Sequence, residues 1–291
     1  MALAYDDRDG WIWLDGKLLP WREANVHILT HALHYASSVF EGERCYDGVI
    51  FKGREHSERL IASARMLDIP IPYSVDEIEA AKYAALKANG LENAYVRAIC
   101  WRGSGPEMGV AAAGNPVRMA VAVWEWGAYY GDAKFQGAKL DISRWKRPSP
   151  ETIPCHAKAA GLYMICTMAK HEAQAKGCSD ALMFDYRGYV AEATGANVFF
   201  VKEGKVHTPL PDCFLNGITR QSVIGLLRER QIEVVERHIE PKEMEGFEQC
   251  WLTGTAAEVT PVGEIGPYRF EVGDLTRSIA QDYERLVRAR P

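Results

Sequence analysis

One lysine of this 291-residue chain is flanked by residues unlike those around the lysines that follow it. Lys158 lies in the stretch ETIPCHAKAAGLYM (151–164), where Ala157 and Ala159 flank it and an apolar helix is predicted to follow. Lys170, by contrast, sits among polar residues, where a lysine is ordinary. Small flanking residues leave open space around the amine, and a partly desolvated amine can act as nucleophile and base near neutral pH. Lys158 is therefore a candidate for Schiff-base chemistry, with an ordinary loop lysine as the alternative.

A lysine of this kind usually binds the aldehyde of pyridoxal phosphate, and that cofactor makes three further demands. It needs a carboxylate beside its pyridine nitrogen, a cradle for its phosphate and a clamp for the substrate carboxylate. Glu192, in YVAEATGANVFF, ends an apolar predicted strand and is the candidate for the first role. Beside the pyridine nitrogen it would keep that nitrogen protonated, which makes the ring an electron sink. A solvated glutamate at a strand end is the alternative.

The stretch FLNGITRQS is the first candidate for the phosphate cradle. Gly217 permits a tight turn, and Ile218 and Thr219 then offer backbone amides at the start of a predicted helix over 219–230. Helix N-termini bind phosphate through their unsatisfied N–H groups and the helix dipole. The alternative is a plain helix start.

Two further segments could contact a phosphate. In TGTAAEVTP, Thr255 and Glu258 have the spacing of a capping box, which predicts a second helix start whose Thr255 hydroxyl could also reach a phosphate. Arg59, in REHSERL, could make a bidentate contact, with an ordinary exposed helix arginine as the alternative.

Three histidines raise the different possibility of a metal site. His27, His31 and His34 are spaced so that on a helix they would share one face. No cysteine or carboxylate joins them nearby, and Ser37, Ser38 and Gly42 interrupt the segment. The pattern therefore favours a chain without a metal.

The candidates sit on elements that mix sheet and helix, which predicts an α/β (α+β) fold. The patterns predict a hairpin at 11–20 with its turn at Asp15-Gly16, helices at 55–67 and 74–90, strands at 94–101, 117–126 and 139–145, a helix at 160–176, hairpins at 180–193 and 197–208, a helix at 219–230, a strand at 232–240 and a helix at 275–289. The Gly-rich stretch GAYYGDAKFQGA predicts an interdomain linker at 127–138. It would join a small α/β domain at 1–126 to a larger domain at 139–291 that carries Lys158.

Bulk composition excludes several classes of function. A hydrophobic content of 47% is enough for two cores, and a net charge of −5 without a basic run argues against nucleic-acid binding. No apolar run approaches the roughly 20 residues that span a bilayer, and the acidic N-terminus lacks a signal-peptide layout. The seven scattered cysteines include no CxxC pair, which predicts free thiols in a cytoplasmic protein.

Taken together, the motifs resemble those of one family. The stretches HALHYASSVFEGERCYDG, REHSERL, AYVRAI, WEWGAYYG, TIPCHAKAAGLYM, VAEATGANVFF, FLNGITR and TGTAAEVTPV occur in the order found in bacterial branched-chain-amino-acid aminotransferases, which are class IV aminotransferases of the fold-type-IV pyridoxal-phosphate enzymes. The resemblance covers the chain from about residue 10 to its end. Departures from the family pattern occur at Ala98, Leu162 and Ala196.

The resemblance implies a role for each matched residue. Lys158 matches the Schiff-base lysine, Glu192 the partner of the pyridine nitrogen and Tyr163 the partner of the phenolic oxygen. The phosphate site is matched by Arg59, Ile218, Thr219 and Thr255, and the face of the ring by Leu215. The substrate site is matched by Phe40, Gly42, Tyr95, Arg97, Trp126, Tyr129, Thr255, Ala256 and Ala257. Tyr35 and the loop at 106–110 match segments that are lent across a dimer interface.

The implied reaction is the transamination of L-leucine, L-isoleucine or L-valine with 2-oxoglutarate, in a homodimer or a dimer-based higher oligomer such as a hexamer. Released from the cofactor, Lys158 would move the proton between the substrate Cα and the cofactor. The alternatives within the fold are a D-amino-acid aminotransferase, an R-selective amine transaminase and aminodeoxychorismate lyase. The pair Tyr95 and Arg97, which alternation places on one side of a strand, favours the branched-chain type. A non-catalytic carrier of vitamin B6 is a further alternative, which the presence of Lys158 and Tyr163 disfavours.

Overall fold

The chain forms two compact units, and the computed structural model describes residues 4–126 and 135–289. The first unit comprises residues 1–127 and 157–161, and the second comprises 128–156 and 162–291. Each unit contains its own sheet and its own helices. The predicted mixture of helix and sheet is therefore confirmed.

The sheet of the first unit has seven strands among the described residues. They are β1 (Trp11–Leu14), β2 (Lys17–Pro20), β3 (Ser38–Phe40), β4 (Glu43–Tyr46), β5 (Val49–Ile50), β6 (Ala94–Arg102) and β7 (Val117–Glu125). The order is β2-β1-β7-β6-β4-β5, β3 also pairs with β6, and every pairing is antiparallel. The predicted hairpin at 11–20 is confirmed, because Asp15 and Gly16 take the positive φ angles of 45° and 90° that its turn requires.

In the described part of this unit, three α-helices accompany the sheet: α1 (His31–Tyr35), α2 (Gly53–Met66) and α3 (Val75–Asn89). The capping box predicted for α3 is confirmed, since the Ser74 hydroxyl accepts from the Glu77 amide while the Glu77 carboxylate accepts from the Ser74 amide. Gly90 ends the helix at φ 63°. Apolar residues of α3 pack against β1, β6 and β7, so this helix covers one face of the sheet.

The segment 157–161, which carries Lys158, folds with the first unit. Ala159 forms a β-bridge with Val39, and the Phe40 amide donates to the Lys158 carbonyl over 3.1 Å. The Lys158 amide in turn donates to the Ser63 hydroxyl on α2 over 2.9 Å. The sequence-based division assigns this segment to the C-terminal domain, and it differs from the structure because composition does not reveal so short an excursion of the chain.

The sheet of the second unit has nine strands among the described residues. They are β8 (Ala138–Ile142), β9 (Asp180–Phe184), β10 (Val190–Ala193), β11 (Asn197–Lys202), β12 (Lys205–Pro209), β13 (Val234–Arg237), β14 (Gln249–Gly254), β15 (Glu258–Ile265) and β16 (Tyr268–Arg269). The order is β10-β9-β8-β15-β14-β11-β12-β13, with β10 also pairing β11 and β16 pairing β15. The pairs β8–β9, β8–β15 and β12–β13 are parallel. Both hairpins predicted in this half, at 180–193 and 197–208, are confirmed.

Strand β11 is buried on both faces, which explains its apolar run. Phe200 joins the main core, where it stacks on Phe247 with ring centres 4.7 Å apart. Phe199 points the other way, because successive side chains alternate along a strand, and it stacks on Trp251. The helices α4 (Met164–Ala175), α5 (Ile218–Glu229) and α6 (Asp274–Arg288) pack against this sheet.

The helix predicted at 160–176 begins later than expected. Residues Ala160–Tyr163 form a 3-10 turn, and α4 follows from Met164. Such tighter turns are common where a helix begins. Of the linker predicted at 127–138, residues 127–134 lie outside the described residues, and Ala138 already belongs to β8. Among the helices that the structure describes, none has the length and apolar character needed to cross a membrane.

Candidate active site

In the first unit, the Lys158 amine lies over an aromatic ring. Its Nζ is 5.1 Å from the centre of the Phe40 ring, and the guanidinium carbon of Arg97 is 4.8 Å from the same centre. Ala157 and Ala159 are buried, whereas the Lys158 side chain is partly exposed. Small neighbours and an aromatic ring thus surround the amine, and a second cation shares that ring.

The predicted pair Tyr95 and Arg97 lies on one side of β6, as alternation requires. Arg97 Nη2 donates to the Tyr95 hydroxyl over 3.2 Å. The Tyr95 ring lies 5.0 Å from the rings of both Trp124 and Trp126. Tyr95, Trp124 and Trp126 therefore form one aromatic cluster, of which Trp124 is a member that the sequence reasoning missed. Arg97 connects this cluster to Phe40, because its guanidinium carbon also lies 5.3 Å from the centre of the Tyr95 ring. Tyr129, predicted for the same pocket, lies outside the described residues.

Gly42 is a glycine because Tyr95 occupies the space that a side chain would need. A Cβ built on Gly42 would lie 2.0 Å from the Tyr95 hydroxyl oxygen and 2.9 Å from its Cζ. An alanine would therefore displace the tyrosine ring and break its hydrogen bond to Arg97. Gly42 therefore contributes to the site by leaving room for the Tyr95 ring beside its backbone.

Arg59 is held by a carboxylate that the sequence reasoning missed. Glu41, fully buried, accepts from Arg59 Nε and Nη2, each over 2.7 Å. His56 Nδ1 lies 2.7 Å from the same carboxylate. Burial by itself would raise the pKa of Glu41, but Arg59 and His56 outweigh it and hold that pKa well below its usual value. The only sequence signal was the position of Glu41 between Phe40 and Gly42.

A second buried ion pair lies two residues further along the chain. Lys82 on α3, fully buried, donates to Glu43 over 2.6 Å, to Glu79 over 2.8 Å and to the Gly53 carbonyl over 3.1 Å. It is therefore a structural cation that ties β4 to α2 and α3.

In the second unit, Glu192 is held from two sides. Asn197 Nδ2 donates to its Oε2 over 3.1 Å, and Arg147 Nε lies 3.3 Å from its Oε1. One carboxylate oxygen is thus oriented by an amide from β11, and the other lies beside a cation that precedes Lys158 in the chain. Asn197 lies in the matched stretch VAEATGANVFF without a role that the sequence predicted, and nothing in the sequence distinguished Arg147 from Arg144 or Lys146.

Asn197 also organises the turn before α5. Its Nδ2 donates to the Leu215 carbonyl over 3.0 Å, and its Oδ1 accepts from the Gly217 amide over 3.2 Å. A Cβ on Gly217 would lie 2.3 Å from that Oδ1, so only glycine fits. One amide side chain therefore links Glu192 to the turn at 215–217.

The helix predicted to start near Thr219 is confirmed, and it begins at Ile218. Gly217 at its N-cap provides no side-chain hydrogen bond, which leaves the first amides of α5 available to an anion. The Thr219 hydroxyl is buried and lies 3.5 Å from the Tyr283 hydroxyl.

The second predicted helix start, at Thr255 and Glu258, is wrong. Thr255, Ala256 and Ala257 form the turn of a hairpin, because β14 continues to Gly254 and pairs with Glu258 at the start of β15. Apolar and β-branched residues on either side favour strands, and the capping-box spacing is therefore fortuitous. Thr255 still lies in a partly exposed turn, where its backbone and hydroxyl can be reached.

The three histidines do not converge. His31 bonds Ser37 and the Gly109 carbonyl, His34 bonds the Ile28 carbonyl, and His27 accepts from the Leu29 amide. Within the described residues, the acidic and thiol groups of Asp185, Asp212 and Cys213 do lie close together, but Arg187 already donates to both carboxylates.

Proteins of one family are similar to this chain over most of its length. The family described as amino-transferase class IV matches residues 38–265, which include Lys158, Glu192 and the turn at 215–217. The branched-chain-amino-acid aminotransferase of Pseudomonas aeruginosa is 41% identical over 289 residues, covering 97% of this chain and 94% of the relative. The chain belongs to the branched-chain-amino-acid aminotransferase family of class IV.

Two solved structures of branched-chain amino acid aminotransferases are similar to this class IV aminotransferase. The one from Escherichia coli has a TM-score of 0.91 and 36% identity, covering 96% of this chain and 95% of the other. The one from Thermobaculum terrenum, solved in its PLP-form, has a TM-score of 0.89 and 29% identity, covering 97% of this chain and 95% of the other. The fold expected from the family is therefore confirmed.

The buried carboxylate of this aminotransferase should make its stability depend on acidity. Because the pKa of Glu41 is lowered on folding, its ionisation stabilises the folded state above pH 4.5, the usual value, and that stabilisation is lost as pH falls further. Below that pH, the free energy of unfolding of wild type should fall by up to about 1.4 kcal/mol per pH unit more than that of Glu41→Gln. Urea unfolding from pH 6 to pH 3 measures the difference.

Glu58→Gln is the control, because this residue is exposed on the same helix as Arg59. It should leave the wild-type pH dependence intact. Parallel curves for wild type and Glu41→Gln would contradict the ionised state of Glu41.

Proposed function

We propose that the chain catalyses the pyridoxal-phosphate-dependent transamination of L-leucine, L-isoleucine and L-valine with 2-oxoglutarate. The observation that carries the proposal is the Phe40 ring, over which both the Lys158 amine and the Arg97 guanidinium lie. A reactive amine and a fixed cation thus border one aromatic surface. An amino acid whose side chain is either aliphatic or acidic suits such a surface.

The residues of each unit fit the proposed cofactor. Glu192, oriented by Asn197, offers a fixed carboxylate for a pyridine nitrogen. Ile218 and Thr219 offer uncapped helix amides for a phosphate, and Arg59 offers a guanidinium whose orientation Glu41 sets. The Thermobaculum terrenum relative, solved in its PLP-form, supports this assignment.

The remaining cofactor contacts are proposed on the family match. Leu215 would pack on the ring face, Tyr163 would donate to the phenolic oxygen, and Thr255 would contact the phosphate. The amides of Ala256 and Ala257, in the hairpin turn, would bind the substrate carboxylate. The turn leaves these two residues partly exposed, as that role requires.

Each side chain then has a chemical task. When bound, pyridoxal phosphate supplies an aldehyde that accepts the amino group and a ring that withdraws electrons from the reacting carbon. Lys158 would remove the proton from the substrate Cα and would carry it during the half-reaction. Glu192 would favour a protonated pyridine nitrogen.

The aromatic cluster around Arg97 is suited to bind two kinds of substrate side chain, aliphatic and acidic. An aliphatic side chain gains roughly 1.5–3 kcal/mol when it leaves water for apolar walls. A carboxylate in the same place requires a cation or hydroxyl. Arg97 and the Tyr95 hydroxyl, which are hydrogen-bonded to each other, are the groups available to meet it.

We also propose that the chain acts as a homodimer. Several apolar side chains of the first unit are exposed, namely Val26, Ile28, Leu29, Leu33, Tyr35, Met108 and Val110. The Tyr35 hydroxyl donates to the Met108 carbonyl over 3.0 Å, and His31 bonds the Gly109 carbonyl, so α1 and the loop at 106–110 form one surface. An apolar surface of this kind is suited to a second copy of the chain.

The first test concerns the reactive amine. Purified protein should be yellow with bound cofactor, and Lys158→Ala should lose both the colour and all transamination. Borohydride reduction followed by peptide mass analysis should attach the cofactor to Lys158. Lys176→Ala, which removes an exposed lysine paired with Asp141, should behave as wild type. Labelling of Lys176 or any other lysine in wild type would refute the assignment.

The second test concerns substrate choice. Arg97→Ala should raise the Km for glutamate and 2-oxoglutarate about tenfold or more, because a charge-assisted hydrogen bond is lost, while the Km for leucine changes little. Arg118→Ala, an exposed arginine paired with Asp15, is the control. Equal losses for leucine and glutamate would show that Arg97 serves the shared α-carboxylate. A dominant activity of wild type on D-alanine would refute the branched-chain assignment.

The third test concerns assembly. Leu33→Asp places a charge in the apolar surface, where Leu33 is 64% exposed, and should convert the dimer into a monomer in sedimentation experiments. Met164→Asp is the control, because Met164 is equally exposed at 64% but lies in the second unit. A monomeric wild type, or a Leu33→Asp variant that remains dimeric, would contradict the proposal.

A further inference from the structure

Arg147 is a buried cation, and a contribution to the stability of the fold does not explain its position. Only 4% of its surface is exposed, and Nη1 donates to the Cys166 thiol over 3.2 Å. Its Nε lies 3.3 Å from Glu192 Oε1, yet Nε has no hydrogen-bond partner among the described residues. Its backbone amide donates to the Phe184 carbonyl over 2.8 Å, which fixes the start of the side chain beside β9.

A buried ion pair of this quality is a weak source of stability. Removing two charges from water costs several kcal/mol per ion, and geometry short of good hydrogen bonds does not recover the cost. Glu192 is already oriented by Asn197 through its other oxygen. Orientation of the carboxylate therefore does not require a guanidinium, and the charge of Arg147 is the property left to account for.

The surroundings keep Arg147 charged. Burial opposes the charge, but Glu192 and, to a lesser extent, Cys166, Tyr163 and Cys213 raise the pKa of Arg147 above its usual value. A permanent cation 3.3 Å from a carboxylate favours the ionised form of that carboxylate. Any proton shared between Glu192 and a basic partner is thus pushed towards the partner.

We propose that Arg147 is a positioning residue for the proton, which keeps Glu192 ionised so that the proton between Glu192 and the pyridine nitrogen rests on the ring. Only the second half of the inference, the position of the proton on the pyridine nitrogen, rests on the proposed function. Its first half, the effect of Arg147 on Glu192, concerns only residues of this chain.

The first experiment uses the protein without cofactor. Glutamate labelled with ¹³C at the side-chain carboxyl carbon is incorporated into the protein. The signal of Glu192 is assigned by its loss in Glu192→Gln. Arg147→Gln should move the midpoint of the Glu192 titration upward by about one pH unit or more, whereas Arg147→Lys, which retains the charge, should move it less. An unchanged midpoint in Arg147→Gln would overturn the proposal.

Arg220→Gln is the matched control. Arg220 is also buried, at 1% exposure, and is paired with a different carboxylate, Glu236, over 2.8 Å. It should leave the Glu192 signal unchanged, and a shift as large as that of Arg147→Gln would overturn the specific role of Arg147. Thermal unfolding is recorded for every variant. If Arg147→Gln and Arg147→Met both fail to fold while Arg147→Lys folds, a structural role replaces the one proposed.

The second experiment uses pyridoxal phosphate labelled with ¹⁵N in the ring. In wild type the nitrogen should resonate in the protonated range, and Arg147→Gln should move it towards the unprotonated range, with Arg147→Lys restoring most of the shift. A wild type that binds no cofactor would refute the proposed function and leave the first experiment valid. A protonated nitrogen in Arg147→Gln, with cofactor bound, would overturn the inference instead.

Discussion

A carboxylate that is removed from water must be paired, and the first unit contains two such carboxylates only two residues apart. Glu41 and Glu43 are both fully buried. The first draws Arg59 and His56 of α2 to its position, and the second draws Lys82 of α3. Since an unpartnered buried charge costs several kcal/mol, neither helix can shift along the sheet without losing these contacts. The orientation of Arg59 is a consequence of this constraint.

In the second unit, an amide side chain acts beside the ion pair of Arg147 and Glu192. Asn197 uses both of its amide hydrogens and its oxygen, so that Glu192, the Leu215 carbonyl and the Gly217 amide are all fixed by one side chain. Aspartate could not donate, and a smaller residue could not span the three groups. The two ends proposed for the cofactor, pyridine nitrogen and phosphate, therefore depend in this unit on a single amide.

The sequence was informative wherever local chemistry decides the outcome. Asp15-Gly16 predicted a hairpin turn, Ser74 with Glu77 predicted a helix start, and Tyr95 with Arg97 predicted a shared face, and all three are confirmed. It failed at Thr255, where the same capping spacing lies in a hairpin, because pairing between β14 and β15 overrides a local preference. Motif matching likewise located the turn before α5 through Gly217.

The sequence did not predict which charged residues pair when they lie far apart in the chain. Glu41 stands 18 residues from Arg59, and nothing in either segment indicates that the two side chains meet. Arg147 follows Arg144 and Lys146 closely, and only the fold shows that Arg147 is the neighbour of Glu192. The membership of residues 157–161 in the first unit has a further consequence, for engineering. A chimera with a single crossover at residue 127 would combine the lysine loop of one parent with the Val39 bridge and Ser63 hydroxyl of another. Recombination of relatives should instead transfer that five-residue loop together with the N-terminal part, as a discontinuous module.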